Sequence, residues 1–169
     1  WELTSELVRI DSSDPGAYED RVERFVKAWI EERVARLPGA LAEKVIVQEL
    51  EVLPGRRDLM ATIPGTSAGP RLVYSCHMDT VTLGDGWGPG LDPLGGIVRD
   101  GRLYGRGACD MKSGLASALV SFSRALQEVA RRGELPRRGL SMLCSVDEED
   151  FMRGIEAALK AGCVGAGEW

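Results

Sequence analysis

Two apolar runs and one glycine-rich loop of this chain end in residues that ligate metals or move protons. The run Leu72-Val73-Tyr74-Ser75-Cys76 leads into His77-Met78-Asp79-Thr80, and His77 is the only histidine of the 169 residues. The loop Gly105-Arg106-Gly107 leads to Asp110-Met111-Lys112 at the start of a long helical pattern. The run Leu140 to Val146 ends in Asp147-Glu148-Glu149-Asp150. In open α/β sheets, ligands bind outside the C-terminal ends of the strands. A fold that brings three such ends together would make one polar, metal-binding pocket.

The rest of the chain supplies strands and helices in alternation. Val22, Phe25, Val26, Trp29, Ile30 and Val34 recur every three or four residues, which predicts a helix from Tyr18 to Leu37. Leu3, Leu7 and Ile10 predict a shorter one before it. Strands are predicted over Lys44 to Leu53, Leu59 to Ile63, Arg71 to Cys76 and Leu140 to Val146, with Leu72-Val73-Tyr74 covered on both faces. Asp100-Gly101 marks a tight hairpin between Ile97 and Tyr104. Ser113 to Val129 is a second long helix, closed by Gly133. Phe151 to Lys160 is a last one. The expected architecture is α/β, a mixed and mostly parallel sheet flanked by helices.

Composition narrows the function. Lys and Arg number 21 against 26 Asp and Glu, a formal charge of −5 with no basic stripe, which argues against a nucleic-acid partner. No apolar stretch approaches the length of a membrane span, and no secretory signal pattern opens the chain. Four scattered cysteines without a CxxC pair suggest a reducing compartment, hence the cytoplasm. No Gly-x-Ser-x-Gly elbow is present, and Gly84-Asp85-Gly86-Trp87-Gly88 opens no helix, so serine-hydrolase and nucleotide-binding readings are weak.

Each candidate residue also has a plainer reading. His77 and Asp79, two apart on a strand, would share a side; a metal-bound imidazole usually gives its other N–H to such a carboxylate, but a satisfied histidine at a strand end looks the same. Asp110 could be an ordinary helix cap. Asp147 to Asp150 could be a charged first helical turn. Yet adjacent carboxylates repel, and a bound cation relieves that repulsion. Taken together at one sheet edge, the three are better explained as one site.

The ordered set His77-Met78-Asp79-Thr80-Val81, Trp87, Asp92-Pro93, Leu103-Tyr104-Gly105-Arg106-Gly107, Asp110-Met111-Lys112 and Asp147-Glu148-Glu149 resembles the zinc peptidases and deacylases that include acetylornithine deacetylase, succinyl-diaminopimelate desuccinylase, aminoacylase and glutamate carboxypeptidase. The resemblance implies two zinc ions, with cobalt or manganese as alternatives. It implies His77 on one ion, Asp110 bridging both, Glu149 on the other, Glu148 as general base and Asp79 orienting His77. It also implies a cis peptide at Asp110-Met111. The implied reaction is hydrolysis of an amide bond in an N-acyl amino acid or small peptide.

The family's remaining ligands, an acidic residue in a Glu-Pro segment and a late histidine, have no counterpart here. Glu168 precedes Trp169 rather than proline, and Arg57-Asp58 stands where the family often has Pro-Asn. Residues 1–169 are therefore expected to be the N-terminal part of the catalytic domain, without the dimerisation domain or the C-terminal part. Alone, such a piece would hold a partial or empty site, would turn over little, and would associate through uncovered apolar surface. The full-length protein would be a homodimer acting on a small molecule. The competing reading is a non-catalytic binding or dimerisation module that retains the fold.

Overall fold

The computed structural model describes residues 1–165. The chain opens with helix α1 (Glu2–Val8), a short strand β1 (Ser13–Asp14), helix α2 (Asp20–Val34) and a single turn α3 (Gly39–Ala42). Strands β2 (Ile46–Leu53), β3 (Arg56–Ile63) and β4 (Leu72–His77) follow, then β5 (Thr80–Val81) and the hairpin β6 (Ile97–Arg99) and β7 (Arg102–Tyr104). Helix α4 (Lys112–Arg132), strand β8 (Leu140–Ser145) and helix α5 (Arg153–Lys160) complete it.

The main sheet has the order β2-β3-β8-β4. The expected mixed α/β architecture is present, but the sheet is not mostly parallel. Only β4 and β8 run parallel, while β2 with β3 and β3 with β8 are antiparallel. For β2 and β3 the reason lies at Pro54-Gly55, a two-residue connection too short for anything but an antiparallel neighbour.

One sheet face, with Leu59, Ala61, Ile63, Cys76, Met142 and Cys144, packs on the apolar stripes of α2 and α4. Val22, Val26 and Ile30 of α2 and Leu115, Leu119 and Phe122 of α4 are wholly buried there. Helix α5 lies against β2 and β3 on the other face. Burying one such side chain is worth roughly 1.5–3 kcal/mol, so this layer supplies most of the driving force for folding.

Several expected boundaries moved, each for a local reason. Leu72 is 45% exposed and Val73 and Tyr74 are half-buried, because β4 is a sheet edge and not a covered strand. Helix α2 starts at Asp20 rather than Tyr18, whose φ of +58° is not helical. Helix α5 starts at Arg153 rather than Phe151, because Met152 adopts φ +58° and Phe151 is exposed. The hairpin turn is as expected, with Asp100 and Gly101 at φ +52° and +69°.

Candidate metal centre

Strands β4 and β8 lie side by side and parallel, with His77 opposite Ser145. Their C-terminal ends therefore deliver His77 and the segment Asp147-Glu148-Glu149 to one place. The pairing runs one residue further, since the Met78 N–H donates to the Ser145 carbonyl at 2.9 Å. The third contribution is the loop before α4. It presses onto the segment after His77: at Gly107 (φ +75°) a Cβ would lie 2.5 Å from the Thr80 methyl, so no side chain fits.

His77 is 7% exposed and its two nitrogens face different groups. Nδ1 lies 3.1 Å from the Asp79 carbonyl and 3.5 Å from Asp79 Oδ1. Nε2 lies 3.0 Å from Asp110 Oδ1 and 3.7 Å from Glu148 Oε2. Ligand atoms of His77, Glu148 and Glu149 all lie within 4.8 Å of one another. Asp79 is wholly buried, and its Oδ2 accepts the Glu149 N–H at 2.8 Å. Its carboxylate thus holds the acidic loop, while its main-chain carbonyl faces the imidazole. Strand geometry does not carry this contact, since β4 ends at His77 and Asp79 reaches the ring from the turn beyond. The peptide bond Asp110-Met111 is cis, as the resemblance implied.

The electrostatics are those of a pocket that wants a cation. Burial alone would depress the His77 pKa, but Asp79, Asp110 and Glu148 outweigh it and lift the imidazole to about 9. Desolvation raises the Glu149 carboxyl, and the carboxylates of Asp110, Asp79 and Glu148 add to it against His77. Burial would also raise Asp79, yet the His77 imidazole beside it and the Glu149 and Glu148 N–H groups hold it below the usual range. A proton on His77 partly neutralises the cluster, and a divalent ion on Nε2 would do so better. One imidazole and several carboxylates form a donor set suited to zinc, cobalt or manganese.

This has a measurable consequence. A His77 pKa raised from 6.5 to about 9 contributes stability that is complete below pH 6.5 and is lost as pH rises through 9. The metal-free chain should therefore melt at a lower temperature at pH 9.5 than at pH 6.5, by an amount of order 3 kcal/mol in unfolding free energy. Metal uptake at pH 7.5 should release about one proton per chain, read with a pH indicator during titration. A proton count of zero would mean that metal does not displace the His77 proton.

Sequence reasoning missed the ion network beneath this centre. Arg56 of β3 donates from Nε to Glu19 at 2.7 Å and from Nη2 to Asp14 at 2.6 Å and Glu19 at 2.5 Å, and its Nη1 lies 3.3 Å from Asp147. Asp147, at φ +65°, gives its N–H to Glu19 and receives two hydrogen bonds from the Arg153 side chain at 2.6 Å. Asp14, Glu19 and Asp79 also converge closely enough to hold an ion, but there the Arg56 guanidinium already provides the positive charge. Lys112 was missed as well. It is 1% exposed and donates to the Ile10 carbonyl at 2.6 Å, while burial lowers its pKa to about 8. A lysine inside an apolar helix stripe hints at an internal partner; nothing in sequence says which.

Residues 73–168, more than half the chain, match the sequence profile of Peptidase family M20/M25/M40. The chain belongs to this family. Among its curated relatives, the succinyl-diaminopimelate desuccinylase of Bradyrhizobium sp. (strain ORS 278) is 39% identical over 154 residues, covering 88% of this chain and 35% of that protein. The desuccinylase of Rhodospirillum centenum is 42% identical over 81 residues, covering 48% and 20%. This M20 chain thus spans about a third or less of the length of these relatives. Among solved structures, a Staphylococcus aureus tripeptidase aligns with TM-score 0.58 at 26% identity, covering 98% of this chain and 40% of that one. Human carnosine dipeptidase 1 aligns with TM-score 0.67 at 18% identity, covering 95% and 34%, a likeness of fold. A dinuclear metal-binding peptidase of Bacillus subtilis shares the fold at TM-score 0.57 and 16% identity, covering 96% and 38%. No helix among the described residues is long and apolar enough to cross a membrane.

Proposed function

We propose that this chain is the N-terminal part of the catalytic domain of a metal-dependent hydrolase, cleaving the amide bond of an N-acyl amino acid or small peptide. The observation that carries this reading is the convergence of His77 Nε2 with Asp110, Glu148 and Glu149, held from behind by Asp79. His77 would hold one ion, Asp110 would bridge to a second, and Glu149 would hold the second. A divalent ion bound there would supply a lowered water pKa and a polarised carbonyl. Glu148, half-exposed beside His77, takes the proton from the attacking water and returns it to the leaving amine. Asp79 fixes the ring so that Nε2 faces the pocket.

The M20 profile and the desuccinylase relatives favour a succinylated amino acid as the first substrate to try, ahead of di- and tripeptides. Four free cysteines agree with a reducing, cytoplasmic setting. Zinc and a homodimer of the full-length protein rest on the family resemblance. With one histidine, this stretch alone should bind metal weakly and turn over little. The test is metal content and hydrolysis of an N-succinyl amino acid by the full-length protein. Stoichiometric metal lost on Asp110→Ala supports the hydrolase. Full-length protein that takes up no metal would favour the non-catalytic module instead.

A further inference from the structure

The ladder between β3 and β8 ends at Leu59 opposite Cys144. Beyond it a side chain replaces the main chain: Asp58 Oδ1 accepts the Val146 N–H at 2.9 Å. Asp58 is 1% exposed, and its Oδ2 has no hydrogen-bond partner. Helix α5 closes over this contact so tightly that a Cβ at Gly154 would lie 2.6 Å from Asp58 Oδ1 and 2.4 Å from the Val146 carbonyl. Val146 is the last residue before Asp147, Glu148 and Glu149. Its position sets where the two glutamates begin.

We propose that Asp58 is a positioning residue for Glu148 and Glu149, and that it performs this role in its neutral form, with Oδ1 accepting from Val146 and Oδ2 carrying the proton. The role presupposes the metal-centre reading above. The surroundings favour the neutral form. Glu19, at the start of α2, faces Asp58, Glu49 of β2 lines the same cavity of about 180 Å³, and Cys144 of β8 lies close by. The nearby cations are committed elsewhere. Arg56 binds Asp14, Glu19 and Asp147, Arg57 binds Asp20, Glu23 and Glu49, and Arg153 binds Asp147 and Asp150. No ion pair of the described residues includes Asp58. Burial pushes its carboxyl up to about 6 against the pull of the Val146 N–H, and Glu19 adds to the rise. A raised acid stabilises the fold fully below its unfolded pKa of 3.8, and that stability is lost as pH rises through 6.

Asp58→Asn keeps the acceptor and removes the charge, whereas Asp58→Leu removes both. The Val146, Glu148 and Glu149 amide resonances of the 169-residue chain, followed by NMR, should shift with a midpoint near pH 6, and this step should vanish in Asp58→Asn. Cobalt titration should give equal affinity for parent and Asp58→Asn at pH 5, and about fivefold tighter binding by Asp58→Asn at pH 8. Asp58→Leu should bind more weakly at both. A parent-to-Asn difference that is the same at both pH values overturns the proposal. So does a step at Val146 that leaves Glu148 and Glu149 unmoved. If no form of the full-length protein takes up cobalt, the metal-centre reading fails, while the amide titration still decides whether Asp58 positions the loop.

Discussion

Replacing Glu148 by glutamine should lower kcat of the full-length protein about a thousandfold while leaving its metal content unchanged. Glu148 Oε2 lies 3.7 Å from His77 Nε2, near enough to face the same bound water, and its side chain is 38% exposed, open to a substrate. The neighbouring Glu149 is tied at its N–H by Asp79 and sits among Asp110, Asp79 and Glu148, the environment of a ligand and not of a proton shuttle. Glutamine keeps the size and polarity of the side chain but cannot accept a proton at neutral pH. The change should therefore act on kcat and leave metal binding to His77, Asp110 and Glu149. Steady-state kinetics beside elemental analysis of the same sample checks it. Normal turnover with full metal would remove Glu148 from the base role.

The largest effect on stability should come from Arg56→Met. The Arg56 side chain is 11% exposed and is shared by Asp14, Glu19 and Asp147, the last two fully buried, with the Tyr18 ring 4.4 Å below the guanidinium. Removing one partner of a buried ion pair costs about 3–5 kcal/mol, because the charges left behind stay buried and unpaired. Here three carboxylates lose a partner at once, although Arg153 still compensates Asp147. Against a total stability of roughly 5–15 kcal/mol this is a large fraction. Thermal unfolding should shift down by roughly 10 °C. Arg56→Lys keeps the charge but not the fork, and should fall between the two. A melting point within about 2 °C of the parent would show that the clamp contributes no net stability.

Much of the site was legible because its residues announce themselves locally. His77, Asp110, Glu148 and Glu149 each follow a strand or a glycine-rich turn, and the parallel pairing of β4 with β8 is what makes their convergence a matter of topology. The hairpin at Asp100-Gly101 was legible for the same reason, since positive φ at both residues is a local demand. The start of α5 was not. Phe151 and Met152 suit the helical pattern, but Arg153 pairs with Asp147 and the chain turns there first. Nor was the exposure of Leu72, because an apolar run reads the same whether or not a strand lies beside it.

Short-range order therefore determined the elements, the residue types of the candidate site and the family: hydrophobic period, turn residues and capping glycines act over a few positions, and the chain carries them wherever it folds. Tertiary structure alone decided which charges meet. Arg56 finds partners 42, 37 and 91 residues away, and Asp58 reaches Val146 across 88. Such pairings have no local signature, because the cost of burying a charge is set by whatever the folded chain places next to it.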